Sequence, residues 1–177
     1  VILEGEVILG SNVIVGDNVK IVASSISNNS EIKDFSLIEY SEIGDESFVG
    51  PFARLRPNTR IGTNCQIGNY VEIKNSNILN NVRINHMAFI GDAEIADDVT
   101  IGAGVITCNH DGIKANKTFI DKGAYIGSNV NLIAPITVNQ NAVIGAGSTV
   151  SEEVPANKLT IARVKQKVIK SWKGFKK

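Results

Sequence analysis

His86 and His110 are the only histidines among 177 residues, and His86 stands in a run of short repeats just before the one long break in their rhythm. Histidine exchanges a proton near neutral pH, so the stretch 84–112, INHMAFIGDAEIADDVTIGAGVITCNHDG, is the candidate active site. A second candidate is the pair Arg56 and Lys74, each the residue after an aliphatic repeat position. Two stacked cations repel unless an anion lies between them. A phosphate would serve, met by a bidentate guanidinium fork and an ammonium point charge. The plainer alternative is two solvated side chains, or pairing with Glu72. Cys65 and Cys108 lie in no metal-ligand spacing and read as reduced thiols.

Positioning these groups is the task of a repeat. Aliphatic residues recur at Leu9, Val15, Ile21, Ile26, Ile32, Ile38, Ile43, Val49, Leu55, Ile61, Ile67, Ile73, Ile78, Ile84, Ile90, Ile95 and Ile101, in steps of six with slips to five. After Thr107 the rhythm jumps to Ile120 and then runs without a slip to Val150. Gly, Asn, Asp and Ser fill the intervals, residues that tolerate tight corners. No 3.6-residue period is present, so the units are short parallel strands wound into an all-β solenoid.

Such units resemble the hexapeptide-repeat acyltransferases, a resemblance that implies a coil with three faces, in which residues about 18 apart stack at the strand spacing of about 4.8 Å. Ile67, Ile84, Ile101, Ile126 and Ile144 then share a face. Two residues beyond each come Asn69, His86, Ala103, Ser128 and Ala146, a column with small residues above the histidine. Such a strip forms a shallow groove for an extended ligand, or it suits a contact between subunits. Residues 109–118, NHDGIKANKT, should project as a loop. Beyond Pro155, the basic stretch 158–177 with Trp172 is expected to be helical and to cap the coil.

Net charge is zero, but residues 151–177 carry eight Lys and Arg against two Glu, so the basic character is local to the tail. No basic stripe crosses the fold, so no nucleic-acid partner is expected. No apolar run reaches the ~18 residues of a membrane span, so no membrane insertion and a cytoplasmic location are expected. The start at Val1, inside the repeat, is that expected of a piece of a longer chain.

The segments GPFARLRP (50–57), IGNYVEIK (67–74), GDAEI (91–95), IGAG (101–104), ITCN (106–109), DG (111–112), IGS (126–128), IAP (133–135) and IARV (161–164) carry a resemblance over essentially the whole chain. They resemble the C-terminal acetyltransferase domain of the bacterial bifunctional N-acetylglucosamine-1-phosphate uridyltransferase/glucosamine-1-phosphate acetyltransferases. That resemblance implies a left-handed parallel β-helix, since crossovers are otherwise right-handed. It places an acetyltransferase domain at 1–150 and a C-terminal extension at 151–177 packing on the coil or a neighbouring subunit. No uridyltransferase domain is expected in this chain.

Carried over by position, the resemblance implies His86 as catalytic base and Arg56 and Lys74 as sugar-phosphate ligands. Ala103, Asn109, Ser128, Ala146 and Arg163 become acetyl-CoA contacts. The chain departs from the pattern on the sugar side: Phe89 replaces a tyrosine near the phosphate, and Thr100 replaces an asparagine near the sugar. His110 replaces a tyrosine beside the coenzyme, and Ala115 replaces the loop lysine, with Lys114 and Lys117 nearby.

The implied reaction is attack of the 2-amine of glucosamine-1-phosphate on the acetyl-CoA thioester, as a step towards UDP-N-acetylglucosamine. His86 would take the amine proton and the Ala103 N–H would meet the oxyanion. Acetyl-CoA is a co-substrate, no metal is expected, and a homotrimer with sites at subunit interfaces follows from the same resemblance. Four alternatives stand beside it: transfer to another or a nucleotide-linked amino sugar, an acetyl-thioester on Cys108, a zinc carbonic anhydrase on the same coil, and a trimerisation module without turnover.

Overall fold

The computed structural model describes residues 1–171. Nearly every hexad contributes a strand of two to four residues that carries its inward aliphatic. The strands stack in parallel into three sheets of nine, eight and nine members. The first face runs from Ile2–Glu4 to Thr149–Val150, the second from Ile8–Leu9 to Ile136–Val138, and the third from Ile14–Val15 to Leu159–Thr160. No helix occurs among the described residues.

The sequence register survives as the ladder Ile67, Ile84, Ile101, Ile126, Ile144 on the third face. Leu55 and Ile73 pair on the first face. These aliphatics are fully or almost fully buried, and stacking them removes a continuous apolar column from water. Leu3 and Leu9, at the first turn, remain exposed because no coil lies beneath them.

A second inward position, two residues before each aliphatic, was not legible in the hydrophobic rhythm because it is filled by small residues. Val19, Ser30, Ser47, Cys65, Val82 and Val99 are examples, all buried. Where a hydroxyl stands there it ties successive turns together: Ser47 Oγ donates to Gly62 O at 2.8 Å and accepts the Cys65 N–H at 3.0 Å. This satisfies backbone groups that the sharp corners leave out of the ladders.

The corners are left-handed turns. Two of the three edges hold mostly Asn, Asp or Gly in this conformation, as at Asn64, Asn81 and Asp98. The edge between the third and first faces instead carries Phe35, Phe52, Tyr70 and Met87 at φ 60, 56, 56 and 42°. All four are exposed, and the Phe35, Phe52 and Tyr70 rings stack at 5.0 and 5.3 Å.

The loop leaves the coil at Asn109, and the strand resumes at Thr118–Ile120. Inside the loop the Asp111 carboxylate accepts the N–H groups of Ile113 and Lys114 and the side-chain amide of Asn116. Those three donors hold the Asp111 carboxyl well below the usual carboxylate range.

The helical expectation for 158–177 is not met. Leu159–Thr160 is a strand on Val143–Ile144, Val154 is buried, and residues 161–171 form no helix. The open edge of the last coil satisfies that backbone at once. Residues 161–171 are exposed throughout, so no buried face supports a helix there. Trp172 lies outside the described residues. No helix among those described is long and apolar enough to cross a membrane.

Candidate active site

His86 ends the four-residue strand Arg83–His86, and the pairing register sets it directly above Asn69. Its Nδ1 lies 2.8 Å from Asn69 Oδ1. The imidazole is exposed at the edge of the third face, beside the Tyr70 and Met87 corner. Above it the column continues through Ala103, Ser128 and Ala146, linked where Ala103 O accepts the Asn129 N–H and Ser128 O the Gly147 N–H, both at 2.8 Å.

The column is bare for a packing reason as well as for its small side chains. A Cβ on Gly102 would stand 2.6 Å from Ser128 N, and one on Gly127 would stand 2.6 Å from Ala146 N. These glycines are demanded by the close approach of successive turns. Lower on the same column, the Asp34 carboxylate caps the Asp17 N–H at 2.8 Å. Ala103 has Ser128 above it instead, and its N–H meets no protein acceptor among the described residues. The guanidinium of Arg163 donates to Ala146 O at the top of the column, so the tail folds back over this face.

Below His86 the third face opens into a groove of about 600 Å³, lined by Phe48, Pro51, Gln66, Asn69 and Tyr70, with Lys33 at its lower end. Gly50 and Gly68 also line it. Lys33 Nζ sits over the Phe48 ring, 5.7 Å from its centroid.

Arg56, Lys74 and Phe89 lie on the first face, around the corner from His86. Arg56 pairs with Glu72 at 3.0 Å, the alternative open from the sequence, and this half-exposed carboxylate supplies the guanidinium's counter-charge. Phe89 shares the rung of Glu72, and its ring leans over Gly91, where a Cβ would come within 2.9 Å of it. Thr100 is on the third face, in register with Arg83 and Tyr125.

Asn109 stands at the far edge of the first face. Its side-chain amide donates to Asp92 Oδ2 at 2.5 Å, while Asp92 Oδ1 accepts the Asn75 amide, also at 2.5 Å. Asp92 is buried, a role that the sequence reading missed although GDAEI was singled out. His110, in the loop, accepts the Gly112 N–H on Nδ1 at 3.0 Å and is exposed. Within one chain His86, Thr100, Ala103, Ser128, Ala146 and Arg163 gather on the third face. Arg56, Lys74, Phe89, Asn109 and His110 belong to the first face and its far corner.

Burial pushes the Cys108 thiol up, away from the thiolate that an acetyl-thioester route needs. Cys65 is buried and bonded to Leu79 O at 2.9 Å, standing in for a serine of the inner ladder. No group of three or more His, Cys, Asp or Glu able to hold a metal ion occurs among the described residues.

The bifunctional protein GlmU of Thermosipho africanus is 50% identical over 97 residues, covering 55% of this chain and 22% of that protein. GlmU of Coxiella burnetii is 52% identical over 90 residues, covering 51% of this chain and 20% of that protein. The chain thus spans about a fifth of the length of the curated relatives it matches. Among solved structures, LpxA from Acinetobacter baumannii superposes with a TM-score of 0.58 at 16% identity, covering 92% of this chain and 69% of that one. The UDP-N-acetylglucosamine acyltransferase of Francisella novicida gives 0.51 at 21%, covering 88% and 58%. These likenesses show the fold, a left-handed parallel β-helix. Residues 49–173 match the model of the GMPPB C-terminal domain, and the chain belongs to that family.

Proposed function

We propose that the chain transfers the acetyl group of acetyl-CoA to the 2-amine of glucosamine-1-phosphate, with His86 as general base. The observation that carries this reading is the His86 column: an exposed imidazole tethered to Asn69 at the foot of a bare strip of Ala103, Ser128 and Ala146. An extended thioester lying along the strip would bring its carbonyl to Ala103, whose N–H has no protein acceptor among the described residues and could meet the oxyanion. The amine attacks the carbonyl carbon, His86 takes its proton, and the tetrahedral intermediate collapses with coenzyme A thiolate leaving. The imidazolium then protonates the departing sulfur. Asn109 and His110 would contact the coenzyme from the loop side, and Arg163 from above.

Arg56 and Lys74, with Phe89 near the phosphate and Thr100 nearer the sugar, are the proposed acceptor ligands. Because the first two sit around a corner from His86, one chain alone does not close the site. A homotrimer, in which the first face of one copy meets the third face of the next, would bring base and phosphate ligands together. The exposed edge of Phe35, Phe52, Tyr70 and Met87 supports such packing, since large apolar side chains there otherwise face water. Acceptance of another amino sugar, including a nucleotide-linked one, is the second reading. It is favoured by Phe89, which has no hydroxyl to offer a phosphate.

The test is release of coenzyme A with glucosamine-1-phosphate, glucosamine-6-phosphate and a nucleotide-linked amino sugar in parallel. Fastest release is expected with the first. Release only with one of the others would move the substrate, and none with any of them would overturn the acetyl-transfer reading.

A further inference from the structure

We propose that Asn69 is a positioning residue that sets the tautomer of His86, holding the ring proton on Nδ1 so that Nε2 presents its lone pair. The purpose of this arrangement rests on the acetyl-transfer reading, but the arrangement itself does not. Asn69 Oδ1 faces Nδ1 at 2.8 Å, and a carbonyl oxygen can only accept, so the neutral ring must donate from Nδ1. An imidazole left to itself carries its proton mainly on Nε2, which would turn a donor towards the column. Asn69 reverses that preference.

The backbone holds the pair in place. Asn69 O accepts the Met87 N–H at 2.9 Å, so the residue after the histidine is anchored to the same asparagine. Gly68 must be bare, since a Cβ there would come 1.8 Å from Asn85 O. That close approach brings the turns together where the two side chains meet.

The choice of an amide is itself informative. A carboxylate at position 69 would fix the same tautomer but would also favour the charged ring and so leave less of it as free base near neutral pH. The two strands packed against Arg83–His86 bring no charge of their own, being Gln66–Asn69 below and Thr100–Ile101 above. The ionisable groups near the ring are Tyr70 at the adjoining corner, Lys33 further down the groove and Arg83 on the same strand. Asn69 is thus a neutral acceptor, and no carboxylate stands among the described residues that line the groove or the two flanking strands.

Nitrogen-15 NMR of the two histidine rings in the full chain reads the tautomer directly, with His110→Asn used for assignment. His86 is expected in the Nδ1–H form, relaxing mainly to Nε2–H in Asn69→Leu. An Nε2–H form in the unmodified protein, or no change in Asn69→Leu, would overturn the proposal. This measurement needs no substrate, so it fails or succeeds apart from the acetyl-transfer reading. In the coenzyme A release assay, Asn69→Leu should lower kcat about tenfold or more with KM for acetyl-CoA little changed. Asn69→Asp keeps the acceptor and should restore the plateau rate while moving the acid limb of the kcat/KM profile up by about one pH unit. A thermal midpoint close to that of the unmodified protein separates this from misfolding, and an Asn69→Asp limb that stays in place would count against the role.

Discussion

The side-chain amide of Asn109 donates to the buried carboxylate of Asp92 at 2.5 Å, so the root of the projecting loop is bolted to the turn beneath it. The other oxygen of Asp92 takes the Asn75 amide, and Asp92 O accepts the Thr118 N–H where the strand resumes. One residue therefore closes both ends of the loop. Asp92→Ala leaves two amides without their acceptor and should cost about 1–3 kcal/mol. Denaturant unfolding measures that loss, and faster hydrogen exchange confined to 109–118 would show where it falls.

His86 points outward and contributes no apolar core. His86→Ala should therefore unfold at nearly the temperature of the unmodified chain while turnover falls roughly 10²–10⁴-fold. Near-normal acetyl transfer by this variant would remove His86 from the mechanism.

The Arg56–Glu72 pair is half exposed, so it contributes at most about 1 kcal/mol to stability. Its larger effect should be on the ligand, because a sugar phosphate must compete with Glu72 for the guanidinium. Glu72→Gln should lower KM for glucosamine-1-phosphate a few-fold with little change in unfolding. A raised KM would mean that Glu72 itself helps to hold the acceptor.

The loop should respond to acid through Asp111. Its folded carboxyl titrates below the unfolded one, so its contribution to loop order is complete above the unfolded value near ~4. That contribution fades as pH falls through the lower folded value. At neutral pH, Asp111→Ala should mimic the acid state and expose the segment around Lys114 to trypsin. Equal cleavage rates for the two proteins would show that the Asp111 hydrogen bonds do not order the loop.

How far the sequence reached depended on whether spacing along the chain becomes distance in space. In a coil of stacked parallel strands it does. Steps of 17 or 18 are vertical neighbours, and the column from Asn69 through His86 to Ala146 could be counted before any coordinate was known. The same counting set Leu55 on Ile73 and the loop at 109. It could not see the inner ladder of Ser30, Ser47 and Cys65, because small residues leave no hydrophobic period. Nor could it judge residues 158–171, whose strand at Leu159–Thr160 depends on the open edge offered by Val143–Ile144.

The sequence by itself thus determined the coil and, with the three faces that the family resemblance implies, its register and which residues share each face, since a local period and the strand spacing fix both. Only the tertiary structure decided how side chains one turn apart turn towards one another. Oδ1 of Asn69 meets the His86 ring, Glu72 meets Arg56 and Asp92 meets Asn109. Those choices depend on rotamers and close approaches between turns, which no spacing encodes.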